Sequence, residues 1–89
     1  MKLIERDKRF TKNYIVRISR HAKLQKQFES RVRLFLNGER GNPLNDHALT
    51  GTKLGLRAFS ITGDIRVVYL ETSETIIFLD VGTHNQVYK

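Results

Sequence analysis

The chain has 89 residues, sixteen Lys and Arg against nine Asp and Glu for a formal net charge of +7, and no cysteine. That length holds one domain, and the missing cysteine excludes disulfide scaffolds, thiolate zinc sites and thiol nucleophiles together. No apolar run approaches the ~20 residues of a membrane span, and Met1-Lys2-Leu3-Ile4-Glu5-Arg6-Asp7 meets charge too early for a signal peptide, so a soluble, cytoplasmic protein is expected.

Residues 2–6 are short and weakly alternating, which predicts an opening strand. Over residues 8–20 the apolar positions Phe10, Tyr14, Ile15 and Ile18 make one helical stripe. A second stripe follows at Leu24, Phe28, Val32, Phe35 and Leu36, and Asn37-Gly38 ends it, since glycine takes the left-handed position after a helix without steric cost. The two stripes predict an antiparallel helical hairpin that breaks near residues 19–22. Gly41-Asn42-Pro43 then stops the helical pattern, and residues 45–52 read as a loop. Residues 54–61, 65–70 and 75–81 are rich in β-branched and aromatic side chains, with Thr62-Gly63-Asp64 and Thr72-Ser73-Glu74 as the turns between them. The expected fold is α+β in the order β-α-α-β-β-β, a helical hairpin on one face of a small antiparallel sheet. Alternation along the middle strand puts Ile65, Val67 and Tyr69 on one face and Arg66, Val68 and Leu70 on the other.

The charge is unevenly spread. Residues 1–40 carry twelve basic and four acidic side chains, and residues 41–89 carry four basic and five acidic ones. The positive field therefore belongs to the helical half, through Arg9, Lys12, Arg17, Arg20, Lys23, Lys26, Arg31 and Arg33. Such a field suits a polyanionic partner, either nucleic acid or an acidic protein.

His21, His47 and His84 are too far apart for a local metal motif, and no HExxH, EF-hand loop, GxGxxG, P-loop or GxSxG accompanies them. Neither a metal nor another cofactor is expected. What remains is a set of acid–base and phosphate-binding types in the second half: His47 before the strands, Asp64 at a turn, Arg66 just after it, His84 past the last strand and Tyr88 four residues on. A cation, a proton acceptor and a proton donor on one side of a sheet are the parts that cut RNA without metal.

The ordered segments His47-Ala48-Leu49-Thr50-Gly51, Leu54-Gly55-Leu56-Arg57-Ala58-Phe59, Thr62-Gly63-Asp64-Ile65-Arg66-Val67-Val68-Tyr69 and Ile77-Phe78-Leu79-Asp80-Val81-Gly82-Thr83-His84-Asn85-Gln86-Val87-Tyr88 resemble the RelE/ParE toxin superfamily. The closing Gly-Thr-His with a later Tyr is similar to its YafQ-like branch. The resemblance implies a single toxin domain over residues 1–89, with helices on a small curved sheet. It also implies a type II toxin–antitoxin toxin that cleaves messenger RNA in the ribosomal A site, held by a cognate antitoxin in a hetero-oligomer. Carried over by position, His47, Asp64 and His84 match acid–base positions, Tyr88 the C-terminal aromatic and Arg66 the phosphate-binding arginine. Lys53 falls near a RelE-like catalytic lysine region. Ser60 stands where the YafQ-like pattern has a further catalytic histidine, so it can orient substrate but cannot be the general base. Arg57 shares a strand face with Phe59 and Ile61, on the core side, with its head free to reach out at the strand end as a further substrate contact. The basic helices are expected to dock on ribosomal RNA. The competing readings are a ParE-like inhibitor of DNA gyrase and a basic RNA-binding module whose nuclease site has decayed.

Overall fold

The structure, a computed structural model, describes residues 2–88. Its centre is a hairpin of two long strands, β4 (Ile65–Glu71) and β5 (Thr75–Thr83), closed by a turn in which Thr72 Oγ1 accepts from the backbone N–H groups of Glu74 and Thr75. Thr62 makes the same hydroxyl-capped turn before β4, accepting from Asp64 and Ile65 at 3.1 and 2.9 Å. With β1 (Leu3–Arg6), β2 (His47–Ala48) and β3 (Arg57–Ser60), these strands form one sheet in the spatial order β1-β5-β4-β3-β2.

The sheet is mixed, not wholly antiparallel as expected. Strands β2 to β5 form an antiparallel meander, but β1 runs parallel to β5, with Leu3 opposite Thr75 and Arg6 opposite Phe78. A parallel partner cannot arrive through a tight turn and must come from a distant stretch of chain. Alternation within β1 carries no trace of that choice. The predicted loop over residues 45–52 contains β2, whose two residues pair with Arg57 and Ala58. The predicted strand over 54–61 shortens to β3 because Gly55, at φ 94°, turns the chain just before it.

Helix α1 (Lys8–Tyr14) starts where the Asp7 side chain accepts from Arg9 N–H at 2.9 Å. It runs into a π-helical turn, Ile15–Ser19, before α2 (Ala22–Leu36). The wider turn rotates the stripe: Ile18 is fully buried, whereas Ile15, expected in the stripe, is exposed. Leu36 likewise leaves the α2 stripe, which ends on the buried Phe35. Under the helices Phe35 stacks on Phe59 with ring centroids 4.3 Å apart and meets Tyr69 edge-on at 5.0 Å; Phe10, Val67, Phe78 and Val81 complete the same core. The helices thus take the Val67 and Tyr69 face, as the alternation predicts. Across the sheet lies a smaller cluster of Leu49, Ala58, Val68 and Val87, flanked by Leu56 and Tyr88.

A charged cluster closes the end of the core. The Asp46 carboxylate is fully buried and accepts from Arg57 Nη2 at 2.6 Å, Arg57 Nε at 2.8 Å and the Tyr69 hydroxyl. Arg40 sits 3.4 Å from the same carboxylate, reaches Glu71 at 3.3 Å and lies 4.3 Å over the Phe35 ring. Burial, then the hydrogen bond to Asp46, pushes the Tyr69 phenol well above its usual range. The Lys2 ammonium holds the Glu71 carboxyl below the usual carboxylate range.

This cluster generates a stability prediction. Tyr69→Phe leaves a buried carboxylate oxygen short of a donor, a loss of about 1–3 kcal/mol. Asp46→Ala strands two guanidinium groups and a phenol, and should cost about 3–5 kcal/mol. Urea unfolding of both variants beside wild type checks the order; equal stability of all three would mean that the cluster holds nothing in place.

Candidate active site

Strand register assembles the site. In an antiparallel pair, directly opposed residues share a face. His47 opposes Ala58, which opposes Val68, and this row faces away from the helices. One pleat further along β3, Ser60 opposes Arg66, which opposes Gly82. The rows are separated by about 7 Å, the advance of two strand residues. Ile65 pairs with Thr83, so Asp64, in the turn before β4, and His84, at the start of α3 (His84–Val87), flank that last pair.

Helix α3 is a single turn, yet it is firmly capped. Thr83 Oγ1 accepts from Gln86 N–H at 3.3 Å, while Gln86 Oε1 accepts from Thr83 N–H at 2.8 Å. Gly82 leaves room for this arrangement: a Cβ there would come within 2.6 Å of Gln86 Oε1 and 2.7 Å of Arg17 Nη1. The cap presents His84 to solvent and folds Tyr88 back beside Ala58 and Val68. The His84 and Tyr88 rings meet edge-on with centroids 4.5 Å apart.

His47 is exposed, and its Nδ1 lies 3.0 Å from the Asn45 carbonyl. A carbonyl only accepts, so Nδ1 donates, and in the neutral ring Nε2 then carries the lone pair. Arg66 is half-buried and donates from Nη1 to the Gly63 carbonyl at 3.2 Å, which leaves most of its donors unused. The Tyr88 hydroxyl is buried and meets no group in hydrogen-bonding geometry among the described residues. Burial raises its pKa above the ordinary phenol, and the nearby Arg66 guanidinium opposes that rise without being aligned for a bond.

The structure therefore brings His47, Ser60, Asp64, Arg66, His84 and Tyr88 to one face and its adjoining edge. Lys53 is half-buried in a neighbouring cleft with Arg9, Leu56, Asp80 and Val87. Arg57 is not brought in. It opposes Ala48 and Tyr69 on the helix side, and its guanidinium is bound to Asp46 rather than reaching out at the strand end. The Asp46 partner was invisible to alternation, which fixes a face but not a contact. Sequence reasoning also missed that Gln27 and Arg31 of α2 line the cleft containing Ser60 and Arg66. Their spacing of four does place them on one helix face, but no local pattern says what that face meets. The Thr83-x-x-Gln86 capping box was readable and would have located α3.

The unpaired phenol makes a clear prediction. Tyr88→Phe should fold with unchanged or slightly higher stability, because the lost hydroxyl has no partner whose bond would be broken. Thermal unfolding measures this, and a loss above about 1 kcal/mol would show that the hydroxyl is already engaged.

The family described as bacterial toxin of type II toxin–antitoxin system, YafQ, matches residues 2–89. No curated relative matches the chain by sequence. Among solved structures, YafQ from E. coli strain BL21(DE3) is similar with a TM-score of 0.84 over 100% of both chains at 21% identity. The E. coli DinJ–YafQ complex gives a TM-score of 0.82 over 100% of both chains at 24% identity. A metal-bound toxin from Helicobacter pylori gives 0.75 over 99% of this chain and 100% of that one, at 21% identity. These structures share the arrangement of helices on a five-stranded mixed sheet.

Proposed function

The chain belongs to the YafQ family of type II toxin–antitoxin toxins, and from that premise we propose that it is an endoribonuclease that cuts messenger RNA on the ribosome. The observation that carries this reading is the convergence of His47, Asp64, Arg66, His84 and Tyr88 on one face and edge of the sheet, fixed by strand register and by the capped α3. The reaction uses the substrate's own nucleophile. The ribose 2′-oxygen attacks the adjacent phosphorus and the bond to the 5′-oxygen breaks, giving a 2′,3′-cyclic phosphate and a 5′-hydroxyl. His47 takes the 2′ proton at its free Nε2, and His84 in its protonated form gives one to the departing oxygen. Asp64, which flanks the same strand end as His84, orients that imidazole. The Arg66 fork binds the non-bridging oxygens as negative charge builds on them, and the Tyr88 hydroxyl finds there the acceptor it lacks in the free protein. Ser60, beside Arg66, hydrogen-bonds the strand, and Lys53 contacts it from the neighbouring cleft.

Two kinds of partner complete the reading. The exposed cations of the helical half, among them Lys12, Arg20, Lys23 and Lys26, dock on ribosomal RNA, which aligns the message for a site with few reactive groups of its own. In the E. coli complex the partner is DinJ; here a cognate antitoxin plays that part. The apolar groove of about 530 Å³ between α1 and α2, lined by Phe10, Tyr14, Phe28 and Val32 together with Arg6, Glu29 and Arg33, suits an amphipathic segment of it.

His84→Ala tests the chemistry. It should stay folded and lose about 10²–10⁴-fold in cleavage rate on programmed ribosomes. Products of the wild-type protein should carry 2′,3′-cyclic phosphate or 3′-phosphate ends and form undiminished with a chelator once ribosome integrity is controlled. Product ends with a free 3′-hydroxyl would end this mechanism, and growth arrest with intact message and trapped gyrase would end the nuclease reading.

Docking is tested separately. Phosphate contacts release counterions, so log affinity should fall against log salt by about 0.7–0.9 per phosphate neutralised. Reversing Lys12, Lys23 and Lys26 to Glu should weaken ribosome binding and flatten that slope. An unchanged affinity and slope would leave these cations as a solvated surface only.

A further inference from the structure

Six of the eight cations in the helical half, from Arg9 to Arg33, are exposed, and two, Arg17 and Arg31, are half-buried. Arg17 is accounted for: it donates from Nη1 to the Val81 carbonyl at 3.0 Å and lies 3.5 Å from Asp80. Arg31 makes no side-chain hydrogen bond or ion pair among the described residues. Holding a guanidinium partly out of water without an acceptor is unfavourable, and the position becomes sensible once an anion arrives from outside.

Its surroundings say where that anion sits. Arg31 lines a cleft of about 260 Å³ together with Gln27, Asn45, Ser60 and Arg66, and among the described residues no carboxylate contributes to the lining. The cleft is therefore positive, supplied with amide and hydroxyl groups, and continuous with two residues of the site face. It also reaches the loop that presents His47, since Asn45 supplies the carbonyl bound by His47 Nδ1. The neighbouring cleft around Lys53 differs, because Asp7 and Asp80 line it. Of these two clefts, it is the Arg31 cleft that offers two guanidinium groups with no competing acid among the described residues.

We propose that this cleft is a subsite for the substrate strand, in which Arg31 binds the phosphodiester next to the one being cut while Arg66 binds the scissile one. Gln27 and Asn45 hydrogen-bond the intervening ribose or base edge. Arg31 is thus a message-binding residue on the helical hairpin and does not belong to the ribosomal docking surface formed by its exposed neighbours. The subsite rests on the nuclease reading, and it explains how a cut that needs few reactive groups gains its alignment: two adjacent phosphates held at once fix both position and direction of the strand.

The test uses the full chain, programmed ribosomes and messages in which one linkage beside the cut, never the cut itself, is a neutral methylphosphonate. Arg31→Ala, and the uncharged but longer Arg31→Gln, should reduce single-turnover kcat/KM by about tenfold to a hundredfold, the range of a charge-assisted hydrogen bond. Neutralising the contacted linkage should slow wild type by a similar factor and leave both Arg31 variants no slower than they already are. Lys26→Ala should keep the full sensitivity to the neutral linkage. If the Arg31 variants respond to every neutral linkage as wild type does, the subsite is wrong. If instead they lose ribosome binding whatever the linkage, Arg31 belongs to the docking surface and the message subsite is likewise wrong. A wild-type protein that cuts no message at all would overturn the nuclease reading itself, an outcome distinct from both.

Discussion

The buried carboxylate of Asp46 sets the geometry on which the rest depends. It belongs to the segment between α2 and β2, and three donors hold it: the Arg57 fork from β3, the Tyr69 hydroxyl from β4 and the Arg40 guanidinium from the start of the same segment. A charge so deeply buried is stable only when paired and hydrogen-bonded on several sides, so the loop has one place to be. The next residue in the chain is His47. Successive side chains point to opposite faces of a strand, and anchoring Asp46 on the helix side therefore sends His47 to the other side. A structural salt bridge and a candidate general base are the two faces of one dipeptide.

That division runs through the whole sheet. On the helix side lie the stacked aromatic rings and the charged cluster, groups whose partners are already present. On the other side lie groups whose partners are missing: the free Nε2 of His47, the unused donors of Arg66, the buried and unpaired Tyr88 hydroxyl. Buried polar groups in folded proteins are nearly always satisfied, and the orphan hydroxyl beside an underused guanidinium is where the proposed substrate phosphate would bind. The small apolar cluster of Leu49, Ala58, Val68 and Val87 supports it, since it seats α3 and with it both His84 and Tyr88.

The positive charge also divides once the helices are in place. Most of the cations in the helical half stand in solvent and can serve a broad electrostatic surface. Arg17 is spent within the fold, bound to the Val81 carbonyl beside the glycine that admits it. Arg31 alone of the eight is half-withdrawn into a polar cleft shared with Ser60 and Arg66 without an acceptor among the described residues. Cations of similar chemistry, close in sequence, thus stand in three different physical settings.

What the sequence by itself determined is whatever a few neighbouring residues can encode. The 3.6-residue stripes placed both helices, Thr62 and Thr72 marked the two turns they cap, and alternation assigned Val67 and Tyr69 to the core and Arg66 to the far face. The positions of His47, Asp64, Arg66, His84 and Tyr88 near turns and strand ends were legible for the same reason. The tertiary structure alone decided the parallel pairing of β1 with β5, the π-helical turn that exposes Ile15, the conversion of part of a loop into β2, the capture of Arg57 by Asp46 and the placing of Arg31 beside Ser60. Each of these depends on which distant segment lands nearby. A period or a turn motif fixes the direction in which a side chain points, but the partner it meets there is set by how the helices and the sheet close on one another.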